Sequence, residues 1–182
     1  AGSTTAVRQH VYCRSYNTVT HVVGTTKLVS VITGTTTEGG ADSQTPSLTA
    51  NGNYIAFASL ATDLLGLGVD TNGVSDVFVY DNTGTGTNGV VNRMSVSSAG
   101  AQGIDGSASG FQLGSINPTI SSDGRYVAFA SLDSNLTAGD TSGQYQGGSG
   151  AGATATVAGG AVTAIPVTVG GTGYNSDPLF AP

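Results

Sequence analysis

Apolar residues recur along this chain in short runs: HVYCRS from His10, KLVSV from Lys27, YIAFAS from Tyr54, DVFVYD from Asp76, VNRMSVSS from Val91 and YVAFAS from Tyr126. Short runs of this kind, bounded by turn-forming residues, predict β-strands. The dipeptides Asn51-Gly52 and Asp123-Gly124, each flanked by such runs, predict hairpins. Alternation in YVAFAS puts Tyr126, Ala128 and Ala130 on one face and Val127, Phe129 and Ser131 on the other. Neither face is strongly polar, which predicts strands covered on both sides.

The runs repeat. TPSLTANGNYIAFASLATD from Thr45 aligns without gaps on NPTISSDGRYVAFASLDSN from Asn117, an offset of 72 residues. Pro46 falls on Pro118, Tyr54 on Tyr126 and Phe57 on Phe129. HVYCRS from His10 matches DVFVYD from Asp76, and KLVSV from Lys27 matches RMSV from Arg93. The order along the chain is the end of a repeat, a whole repeat, and the start of a repeat. Four short strands per unit is the content of a propeller blade.

Composition narrows the class. With 9% charged residues and 38% hydrophobic ones, the chain is too apolar for an acidic disordered tail, and it lacks the Ala, Leu, Glu and Lys of a helical bundle. A net charge of −6 disfavours nucleic acid and anionic lipid as partners. No apolar run is long enough to span a bilayer. The acids are ten Asp and the single Glu38, so charge is expected in turns. Cys13 stands alone, excluding an intramolecular disulfide.

The string SSDGRYVAFASLDSNLTAGDTSG, with SDVFVYD and RMSVSS, resembles the WD40-like, TolB-type propeller repeats of bacterial envelope and secreted proteins. The resemblance covers about Val7 to Gly143. It implies an all-β fold of antiparallel propeller-like blades, here about two to three in an incomplete ring. From Gln144 the composition becomes glycine-rich, and residues 144–182 are expected to form a second unit beyond the 1–143 repeats. ATATV and AVTAIPVTV, separated by Gly159-Gly160, predict a C-terminal β-hairpin, with Pro166 on an edge strand. This tail is similar to glycine-rich repeats of bacterial surface and phage tail proteins.

Several motifs bear on chemistry. Asp70, Asn72 and Asp76 place side-chain oxygens around Gly73, a pattern suited to calcium or to a hydrogen-bonded turn. The matching loop keeps Asp140 and has Gln146 where Asp76 would stand. Gly84, Gly86 and Gly89 spell GxGxxG, but a strand rather than a helix follows, so a hairpin loop is expected. His10 and His21 are the only histidines and no GxSxG elbow exists, so no catalytic residue is assigned. Cys13 is expected to be a structural thiol and Arg125 a solvated turn cation. Tyr54, Tyr126, Phe57, Phe129 and Phe78 are expected in the blade core. Asn135-Leu-Thr137 is a glycosylation sequon.

The expectation is a non-enzymatic extracellular or cell-surface structural protein that assembles with copies of itself by inter-chain β pairing, as a fibre or surface-layer subunit. The alternative is a calcium-stabilised propeller module that binds a glycan or a protein partner, as a piece of a larger chain.

Overall fold

The computed structural model describes residues 7–84, 89–104 and 114–138, together with four short strands between 152 and 169. The chain divides into two compact units, Ala1–Gly143 and Gln144–Pro182. The first contains β1 (Tyr12–Tyr16), β2 (Val23–Leu28), β3 (Ser43–Leu48), β4 (Tyr54–Ser59), β5 (Asp76–Asp81), β6 (Val90–Arg93), β7 (Ser115–Ile120) and β8 (Val127–Ser131). Every pairing is antiparallel, and the described residues include no helix. The fold is all-β. No closed propeller is present among the described residues.

β3, β4, β5 and β6 form one four-stranded sheet in that order, flanked by the two-stranded sheets β1–β2 and β7–β8. The expected strand from Val91 stops at Arg93, and Val96 instead bridges to Gln102. Alternation along β4 and β5 sends Ile55, Phe57, Phe78 and Tyr80 into a core shared with Val11, Val29 and Val31. Phe57 lies opposite Phe78, with ring centroids 5.8 Å apart, and both are fully buried. The other face sends Ala56 and Val79 against Ile120, with Tyr54, Met94 and Val127 around them. The middle sheet is thus covered on both sides, as its apolar faces require.

The repeat is reproduced bond by bond. Thr45 and Asn117, 72 residues apart, both take positive φ, 50° and 52°, at the same bulge of β3 and β7. In the two loops, Thr49 N–H donates to Tyr54 O at 3.1 Å and Ser121 N–H to Tyr126 O at 2.8 Å. Asn51 and Asp123 each accept a backbone N–H two residues on, and Gly52 and Gly124 take φ of 69° and 77°. Ser43 bonds Ser59 at 2.8 Å through their hydroxyls, as Ser115 bonds Ser131 at 2.8 Å.

The register resolves the match of KLVSV with RMSV residue by residue. Val77 N–H donates to Ser95 Oγ at 3.0 Å, and Val11 N–H to Ser30 Oγ at 3.1 Å, so Ser30 is the counterpart of Ser95. In register, Arg93 faces Phe78 and Leu28 faces Tyr12. Leu28 therefore holds the place of Arg93. The exposed aromatics differ from expectation as well: Tyr126 is 66% exposed, on the same face of its run as the exposed Ala128 and Ala130.

In the second unit, β9 (Gly152–Ala153) pairs with β12 (Val167–Val169), and β10 (Thr156–Ala158) pairs with β11 (Ala161–Ala164), both antiparallel. Gly159, Gly160 and Pro166 lie outside the described residues.

Candidate functional site

The three residues singled out for a cation do converge. Asp70 and Asn72 sit on the loop before β5, which turns at Gly73 with φ 71°, and Asp76 opens β5. Arg93, at the end of β6, points into them. Its Nη1 lies 3.1 Å from Asp76 Oδ2 and 3.5 Å from Asp70 Oδ1, while Nη2 donates to Val69 O at 3.0 Å. All three charged side chains are buried, Arg93 being 6% exposed. Ser95 donates to Asp76 Oδ1 at 2.5 Å, and Gln102 Nε2 donates to Asp70 Oδ1 at 3.1 Å.

Burial dominates the electrostatics. It pushes the Asp76 carboxyl up from 3.8 to about 6, with the charge of Asp70 adding to it and Ser95 and Arg93 opposing. Asp70 is shifted upward too, again mainly by burial, with Arg93 opposing. Two acids and one guanidinium leave the cluster with one excess negative charge when both acids are ionised, and Ser95, Gln102 and Asn72 supply neutral donors to it.

This arrangement, as folded, does not fit a calcium ion. Calcium needs six to eight oxygen ligands. Asn72 turns its amide nitrogen, not its oxygen, toward Asp76 at 3.2 Å, and its oxygen accepts Val74 N–H. The guanidinium stands among the carboxylates where a metal would. Among the described residues no group of three or more His, Cys, Asp or Glu is arranged to hold a metal. Asp140 and Gln146 lie outside the described residues.

Sequence reading missed Arg93 and Gln102 as members of this cluster. Arg93 stood out only as a charged residue at the start of the apolar run RMSV. Gln102 carries none, since it reaches Asp70 across 32 residues.

The equivalent position in β1–β2 is filled differently. His10 stands where Asp76 does, its Nδ1 3.4 Å from Ser30 Oγ and its Nε2 3.4 Å from Glu38 Oε2. The order serine, histidine, acid resembles a hydrolytic relay. Yet Ser30 is fully buried and its oxygen accepts Val11 N–H, so no substrate carbonyl can reach it.

The remaining candidates have structural partners. Cys13 is half-buried against the larger core. Arg125 lies over the Tyr126 ring at 5.5 Å. Asn135, the sequon residue, uses both ends of its amide: its oxygen accepts Ile104 N–H at 2.8 Å, and its nitrogen donates to Gln102 O at 2.8 Å. Asp133 is buried, with the Ser115 and Ser131 hydroxyl oxygens 2.7 and 2.8 Å from its Oδ2, a cluster in which the two hydroxyl protons are shared among three short contacts. Within the glycine triple, residues 85–88 lie outside the described residues, and Gly89 backs onto the Tyr80 ring so closely that a Cβ would overlap it.

No protein-family model matches the chain, and neither the curated proteins nor the solved structures yield a match. Among the described residues no helix is long and apolar enough to cross a membrane.

Proposed function

We infer that this is a non-enzymatic, extracellular structural module of WD40-like blades that assembles with copies of itself by inter-chain β pairing. One observation carries the reading. YIAFAS in β4 is buried between β3 and β5, whereas YVAFAS in β8 exposes Ala128 and Ala130 and pairs only with β7 among the described residues. A strand of the same composition is thus central in one repeat and an edge in the other. An open apolar edge of this kind templates pairing with another chain. The buried Asp70–Arg93–Asp76 cluster supports a scaffolding role, since its polar atoms are spent on one another.

Negative-stain electron microscopy of the purified 182-residue chain, with light scattering across a dilution series, tests this. Regular filaments or rings that dissociate on dilution are the expected result. A uniform monomer at every concentration removes the reading and favours the alternative, a module that binds a glycan or protein; ligand screening then follows.

A further inference from the structure

We propose that the edge of β8 in one copy is filled by β1 of a second copy, producing a joint sheet in the order β7-β8-β1-β2. The proposal rests on the self-assembly reading above and names its contact.

In the middle sheet, β4 is followed by β5 and β6. β7–β8 repeats the β3–β4 half of that sheet, down to the bulge and the serine pair. β1–β2 repeats the β5–β6 half, down to the serine that accepts the first strand's N–H. Among the described residues, each two-stranded sheet therefore presents the edge that the other lacks. Transferring the β4–β5 register, Tyr54↔Asp81 through Ser59↔Asp76, gives the joint register: Val127 opposite Arg14, Ala128 opposite Cys13, Phe129 opposite Tyr12, Ala130 opposite Val11.

Faces agree as well as edges. Phe129 and Tyr12 would meet as Phe57 meets Phe78, burying a tyrosine now 59% exposed. Ala128 would join Cys13, which already packs on the core beneath the second copy's middle sheet. The exposed side of β8 would thereby gain the cover that β4 has. Charge also favours the pairing. Residues 7–28 hold three of the five basic residues, and none of the eleven acids precedes Glu38. A basic hairpin thus meets a chain that is otherwise acidic.

Opposed residues on antiparallel strands have Cα atoms about 4.5–5.5 Å apart, within disulfide reach. The test is Ala128→Cys in the full chain, oxidised at a concentration where light scattering shows assembly. A disulfide-linked ladder on a non-reducing gel is expected, lost when Cys13→Ser is combined with Ala128→Cys. Val127→Cys, on the opposite face, should stay uncrosslinked. Particles of the Ala128→Cys variant that form normally, yet without a disulfide from Cys13 to the introduced thiol, would overturn this joint while leaving self-assembly intact. A chain that never assembles would instead overturn the reading beneath it, and the joint with it. A bond that survives Cys13→Ser would show β8 meeting its own copy, which also overturns the register.

Discussion

Arg93 and Asp76 face each other at 3.1 Å with both side chains buried, and the aspartate's second oxygen is held by Ser95. Removing one member of such a pair costs more than the pair contributes, because the partner is left charged in a buried site. Arg93→Met should destabilise the protein by about 3 kcal/mol at neutral pH. The same variant should lose less at pH 5, where Asp76 holds its proton. Urea unfolding at the two pH values measures both numbers; an equal cost at each would show that the guanidinium acts through packing alone.

Stability should depend on pH with an unusual sign for an aspartate. Burial raises Asp76 to about 6, so between its ordinary 3.8 and about 6 the native state keeps a proton that the unfolded chain has released. Stability attributable to this group is therefore greatest below pH 4 and falls as pH rises through 6. Asp70, shifted the same way, adds to the trend. A shift of about two units corresponds to on the order of 2–3 kcal/mol. Asp76→Asn should flatten the profile across this window, and an unchanged slope would place the titrating group elsewhere.

Calcium should leave the melting temperature where chelator leaves it. A ligand that binds only the native state at a hundredfold its Kd adds about 2.7 kcal/mol, which is easily seen by calorimetry. With Arg93 among the carboxylates and the Asn72 amide nitrogen facing them, no such gain is expected. A rise in melting temperature that disappears in the Asp70→Ala, Asp76→Ala double variant would show that the loop opens to take the ion.

Phe57 and Phe129 occupy the same place in the two copies of the repeat, yet Phe57 is fully buried and Phe129 only partly so. Phe57→Ala should cost about 3–5 kcal/mol, and Phe129→Ala distinctly less in dilute protein. At concentrations where the chain assembles, the gap should narrow. Denaturant midpoints at two protein concentrations decide this; a gap that does not move would disconnect Phe129 from the assembly.

The strand runs and the two loops at Asn51-Gly52 and Asp123-Gly124 were legible because each is a local pattern; cover on both faces, read from YVAFAS, is found in its repeat mate β4 but not in β8, where Ala128 and Ala130 are exposed. Alternation fixes which side Phe57 takes, and a glycine at φ 69° marks where the chain turns. The meeting of Asp70, Asn72 and Asp76 was legible too. Its content was not, for the cation that joins them arrives from β6, 17 residues beyond Asp76. Gln102 arrives from farther still. Which residue of KLVSV answers Arg93 was not legible for a related reason: KLVSV holds one more residue than RMSV, and only the register of β1 against β2 shows that it is Leu28. Tyr54 and Tyr126 read alike as core, but only Tyr54 is half-buried, since exposure depends on a neighbouring strand that a strand's own sequence does not contain.

The bulges of β3 and β7 have a consequence for how such a molecule avoids its own kind. β3 lies at the edge of the middle sheet, and there it carries a proline, which has no N–H to offer, beside a residue at positive φ; β7 repeats both with Pro118 and Asn117. At the far edge β6 is only four residues long. Both flanks are thereby poor templates, while β8 runs unbroken from Val127 to Ser131. Under the proposed joint, pairing between copies would be confined to the β8 and β1 edges, so each copy would add to the last in one direction. Sideways pairing through β3 or β7 would meet a proline without an N–H to offer.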